Sequence, residues 1–135
     1  MSQGNETPRV PTNTPAGMYW TGHVISGVVA AMMAMSAVMK FGNSPQLVEG
    51  FEHLGWPMKV AIALGVVELT CAILYIIPQT SVLGAILLTG YLGGAIATHV
   101  RIGEPFFVQA GIGVAVWLGL FLRDARVRAL IPLRK

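Results

Sequence analysis

The sequence predicts an all-α membrane protein built as a four-transmembrane-helix bundle. Three observations lead there. Hydrophobic residues make up 54% of the 135-residue chain and charged residues only 11%, outside the range of soluble domains. Four apolar runs, each close to the roughly 20 residues that a spanning helix needs, use up most of the length. The segments between the runs are too short to hold a soluble domain.

The remaining composition excludes other classes. The net charge is +3, but the basic residues cluster after the last apolar run, which is a topology signal and not a nucleic-acid surface. The single cysteine, Cys71, lies inside a run, so neither an intramolecular disulfide nor a paired-thiol redox site is available within the chain.

Taken in order, residues 1–17 are polar and hold three prolines, as expected of a disordered N-terminal tail. The first span is expected at about 18–39, with Tyr19 and Trp20 where an interfacial aromatic belt belongs. Its small face would be His23, Gly27, Ala30, Ala34 and Ala37, and its lipid face Ile25, Val28, Met32, Met35 and Met39. Residues 40–56 read as a loop. Pro45 could open a short surface helix over 46–54 with Leu47, Phe51 and Leu54 on one side.

Pro57 opens the second span, about 57–77, where Ala61, Gly65, Glu68, Ala72 and Tyr75 form a small and polar stripe. Pro78 ends it. The turn at 78–81 forces an antiparallel hairpin with the third span, about 80–99. There Gly84, Leu87, Tyr91, Gly94 and Thr98 fall on one side and Ala85, Leu88, Leu92 and Ile96 on the other. Gly90-x-x-x-Gly94 is a close-packing pattern, so Gly65, Gly90 and Gly94 are the candidate helix-packing positions. The fourth span is expected at about 105–122, and residues 123–135 form a basic tail that leaves the membrane.

With four spans, both termini share a side with the 78–81 turn. That side carries Arg9, Arg123, Arg126, Arg128, Arg134 and Lys135, against Lys40, Lys59 and Arg101 on the other. The asymmetry places both termini in the cytoplasm.

Three stretches carry a family resemblance: Leu54-Gly55-Trp56-Pro57; Leu64 through Glu68 with Tyr75-x-x-Pro78; and Thr89 through Arg101, ending Thr98-His99-Val100-Arg101. In these features, in this order, the chain after its N-terminal tail resembles the DoxX-like family of small four-span bacterial membrane proteins. The resemblance implies the four-helix bundle and the bacterial cytoplasmic membrane. Because the family is named after a membrane subunit of an archaeal thiosulfate:quinone oxidoreductase, it also implies quinone as a cofactor to test; the residues themselves identify no cofactor.

Glu68 is the sharpest candidate. A mid-bilayer carboxylate costs about 2–3 kcal/mol on insertion scales, so it should face the bundle and either be protonated or find a partner. It reads equally as a proton-exchanging or ligand-binding acid and as a register-fixing hydrogen bond. Tyr91, Tyr75 and His23 would complete an intramembrane polar cluster. His99 and Arg101 form a candidate outer-face cluster, which reads more simply as solvated residues with Arg101 reaching the headgroups. No catalytic set and no metal-ligand spacing is present in the sequence pattern. The residues therefore favour a non-catalytic membrane subunit or accessory protein, partnered by the bilayer and by itself or another membrane subunit. The alternatives are a small proton-coupled transporter using Glu68 and a quinone-interacting subunit of a redox system.

Overall fold

The computed structural model describes residues 14–130. Residues 1–13 of the expected disordered tail and 131–135 of the basic tail lie outside the described residues. Within 14–130 the chain is helical, with no strand. The elements are α1 (Ala16–Met39), α2 (Pro45–Leu54), α3 (Ala61–Ile76), α4 (Ser81–Arg101), α5 (Phe107–Arg123) and α6 (Ala125–Leu130), and a single 3-10 turn, Met58–Val60, leads into α3.

The four long helices form a ring: α1 packs on α3 and α5, and α4 packs on the same two. Ala16–Met39, Met58–Ile76 and Ser81–Arg101 are each long and apolar enough to cross a membrane, and α5 is a shorter apolar helix beside them. Their outward faces are greasy. Val24, Val28 and Met35 of α1 and Ile62, Val66 and Ile73 of α3 are all exposed, and such a surface is stable only against lipid. The chain is a multi-pass membrane protein.

Which face turns inward follows the expected pattern in α3, where Ala61, Gly65, Glu68, Ala72 and Tyr75 are all buried. In α1 it follows in part, with Ala30 and Ala37 buried and Val28, Met32, Met35 and Met39 exposed, and in α4 it does not. The buried residues of α1 are Gly22, Ser26, Val29, Ala30, Met33 and Ala37, so the helix is turned and Gly27 meets no other atom. In α4 the buried residues are Ser81, Gly84, Ala85, Leu88 and Leu92, so the side with Ala85, Leu88 and Leu92 turns inward and not the side with Gly94. Bulky Leu88 and Leu92 fill the centre of the ring, and the small residues after Leu88 are left to border open space.

The short helices cover the two ends. Ser44 caps α2 by accepting from the Leu47 amide at 3.2 Å, Pro45 fills the first turn, and Gly55 ends the helix with φ +77°, a left-handed conformation that suits glycine. Phe51 is its buried anchor. The first residues of the basic tail form α6, packed against the end of α5. Val127 is buried, and Arg128 donates to the Phe121 and Leu122 carbonyls at 2.9 and 3.0 Å and to Thr14 Oγ1 at 2.9 Å. These bonds satisfy carbonyls that the end of α5 leaves free.

Candidate functional site

A cavity of about 570 Å³ opens among the four long helices in the half of the bundle nearest α2. Its polar edge is built around Glu68. The α3 stripe turns this residue inward until only 2% of its side chain is exposed. Lys40, the residue that ends α1, reaches it: Nζ donates to Glu68 Oε2 at 2.6 Å and to Ser36 Oγ at 2.8 Å. Tyr91 Oη donates to the same Oε2 at 3.1 Å. Gly65 makes room for this contact. A Cβ there would lie 3.2 Å from the Lys40 Cβ and 3.0 Å from the Ala37 carbonyl oxygen.

A second polar pair borders the cavity. His99 Nδ1 donates to the Ala95 carbonyl at 2.7 Å. In the neutral ring this leaves Nε2 as an acceptor, and Gln109 Nε2 donates to it at 3.3 Å. Gln109 Oε1 is buried and has no hydrogen-bond partner among the described residues. The rest of the lining is apolar or small, including Met33, Leu64, Leu92 and Ile112, with Gly90 and Gly94 on α4. Phe51 and Leu54 of α2, with Trp56, contribute the outer wall. Arg101 donates to the Leu54 carbonyl, and His53 bonds Glu104, so two side chains from the α4 end hold α2 in place.

The candidate residues thus separate. Glu68 and Tyr91 meet, and His99 borders the same cavity. Tyr75 does not join them: it is fully buried, donates to the Val116 carbonyl at 2.7 Å and accepts from Ser26 Oγ at 3.0 Å. His23 lies at the opposite end of α1, donating to the Tyr19 carbonyl at 2.8 Å with its ring 4.1 Å from the Tyr19 ring. It borders a separate hollow of about 680 Å³ near Arg123 and Asp124. Arg101 turns to α2 and not to the cavity. Gly90 and Gly94, read as a helix-packing pair, have no atom within 4 Å of a Cβ placed on them, because the face of α4 that packs lies on Leu88 and Leu92. Among the described residues no group of three His, Cys, Asp or Glu side chains stands close enough to hold a metal ion.

Two cavity residues escaped the sequence. Lys40 was counted with the loop that follows α1, although its spacing of four from Ser36 put both on one helical face. Gln109 is the lone amide in the apolar run of α5, a signal of the same kind as Glu68.

Residues 24–122 match the model of the DoxX-like family. The chain belongs to the DoxX-like family. The matched region contains Lys40, Glu68, Tyr91, His99 and Gln109, so the whole polar edge of the cavity lies within the family's span. No curated protein and no solved structure matches this DoxX-like chain.

Proposed function

We propose that this DoxX-like protein is a non-catalytic membrane subunit or accessory protein that holds a small amphipathic molecule inside its bundle. The observation that carries the reading is the 570 Å³ cavity, bordered by the Lys40–Glu68–Tyr91 cluster and otherwise largely apolar. Its size and its few polar groups suit a small-molecule site. Native mass spectrometry of the protein released gently from its membrane tests this. The parent is expected to carry a lipid-soluble adduct, and Gly90→Leu, which places a side chain into the space, is expected to lose it. A parent that carries none, and gains none from added membrane lipid extract, would sink the reading.

A quinone-interacting redox subunit is the second reading, favoured by the pairing of a polar edge with a long apolar wall, which suits a ring with a lipid tail. Proton-coupled transport has less support, since Lys40 and Tyr91 both hold Glu68 Oε2.

The same proposal places the protein in a bacterial cytoplasmic membrane with both termini cytoplasmic, on the charge asymmetry. It works there as a homo-oligomer or beside a partner subunit, for which the open Gly93 and Gly111 positions offer close approach. A C-terminal alkaline phosphatase fusion should be inactive; an active one reverses the orientation.

A further inference from the structure

From the hydrogen-bond inventory of the cavity we infer that its ligand is an uncharged molecule whose polar end donates hydrogen bonds, an amphipathic alcohol or phenol. The inference rests on the reading that the cavity holds a small molecule, and it specifies the chemistry of that molecule's polar end.

Most donors on the cavity edge are already committed; the second Gln109 amide proton and the Trp56 indole N–H are exceptions among the described residues. Lys40 Nζ is used by Glu68 Oε2 at 2.6 Å, Ser36 Oγ at 2.8 Å and the Ser36 carbonyl at 3.4 Å. The single Tyr91 proton goes to Glu68 Oε2, since a carboxylate can only accept. The His99 Nδ1 proton goes to Ala95, and one amide proton of Gln109 goes to His99 Nε2. What stays open is mostly acceptors. Gln109 Oε1 is buried without a partner. Both bonds to Glu68 end on Oε2, so Oε1 accepts none among the described residues. Tyr91 Oη, having donated, retains its lone pairs.

The charges point the same way. Lys40 neutralises Glu68, so a cationic ligand would meet the lysine without a free carboxylate to balance it. An anionic ligand would meet the carboxylate and find no lysine proton to spare. A molecule that only accepts would leave Gln109 Oε1 desolvated and unpaired, which is the costly outcome for a buried polar group. A hydroxyl satisfies it.

The test uses the full chain with Trp20→Phe and Trp117→Phe, which leaves Trp56 at the cavity wall as the reporter. The protein, in phosphatidylcholine vesicles, is titrated with four bromine-tipped quenchers on one eleven-carbon chain: the alcohol, its methyl ether, the carboxylate and the primary ammonium. The alcohol should quench saturably at a membrane mole fraction about fivefold below that of the ether, the share expected of one net hydrogen bond, and further below that of either ion. Gln109→Leu should erase the alcohol's advantage while leaving ether quenching in place. Saturable quenching by the ether or an ion at the same or a lower mole fraction overturns this inference and leaves the binding reading standing. Quenching by all four that rises without saturation overturns both. The comparison on the parent chain stands even where Gln109→Leu does not fold.

Discussion

At the end of the bundle that carries the 78–81 turn, helices touch backbone to backbone; at the end covered by α2, α1 and α3 stay close at Gly65 but several glycines of α4 and α5 border open space. In the first half a Cβ on Gly22 would lie 2.7 Å from the Arg123 amide nitrogen, one on Gly119 2.6 Å from Ser26 Oγ, and one on Gly84 against the backbone of Tyr75. In the second half Gly90, Gly93, Gly94 and Gly111 have no such neighbour. The polar groups do not divide as cleanly. Tyr75 donates and accepts with protein partners, but Arg123 Nε in the first half and Gln109 Oε1 in the second are both buried without a partner among the described residues. Around Tyr75 the first half is closed by its own side chains, with the 680 Å³ hollow lying beyond it near Arg123, while the second half keeps the 570 Å³ cavity among the four helices. A glycine in a span therefore means close packing at Gly22, Gly84, Gly119 and Gly65, and open space at Gly90 and Gly94.

The largest expected effect tests the filled half. Gly84→Leu drives a side chain into the α3 backbone, which cannot yield as the tip of a flexible side chain can. No folded protein should be recovered from detergent by size-exclusion chromatography. Recovery of a monodisperse species with the parent's melting temperature would show that α3 and α4 are not in contact there.

Next in size is Lys40→Met. It strands the Glu68 carboxylate, only 2% exposed, without its cation, and losing one partner of a buried pair costs about 3–5 kcal/mol. The double variant Lys40→Met with Glu68→Gln should recover most of that loss, since replacing both members of such a pair is often nearly neutral. A single variant as stable as the parent would mean the pair does not form in the membrane.

The two tyrosines set the halves directly against each other. Tyr75→Phe removes the bond to the Val116 carbonyl and leaves Ser26 Oγ unpaired in a packed interior, a cost of about 2 kcal/mol. Tyr91→Phe removes one bond from a carboxylate that keeps its lysine, and about 1 kcal/mol is expected. Equal melting shifts would remove the distinction between a closed and an open half.

Most of the scaffold could be read from the sequence because it rests on hydropathy and on proline and glycine punctuation. The four apolar helices, the hairpin at 78–81 and the whole inward stripe of α3 follow from those signals. The inward face of α4 does not, and that of α1 only in part, because small residues read as the packing surface. In this bundle Leu88, Leu92 and Met33 fill the interior, and several small residues border the cavity or the lipid. The site was half legible. Glu68 declares itself as the one acid in an apolar helix. Its partner lay 28 residues away, at the end of a different helix, and no periodicity within α3 points to it. Tyr75 and His23 share residue type with a polar cluster but not its location: Tyr75 lies about two turns beyond Glu68 along α3, and His23 is near the start of α1.

The smallest expected effect separates the halves within one helix. Leu92 and Gly94 are two residues apart on α4 and both border the cavity, yet Leu92 is 4% exposed and packed in the core, whereas a Cβ on Gly94 meets nothing within 4 Å. Enlarging Leu92 to Phe crowds the core side it packs against, and about 1–3 kcal/mol of destabilisation is expected. Gly94→Leu adds more volume, but a Cβ there meets nothing within 4 Å. Its melting temperature should stay near the parent's, equivalent to about 0.5 kcal/mol or less, because the new side chain enters open space or lipid. On the proposed binding role the cost should appear in retention of the lipid-soluble adduct instead. Thermal melts of both variants in one detergent decide the point. If Gly94→Leu melts well below the parent while Leu92→Phe does not, then α4 turns Gly94 and not Leu92 toward its neighbours, and the cavity wall must be redrawn.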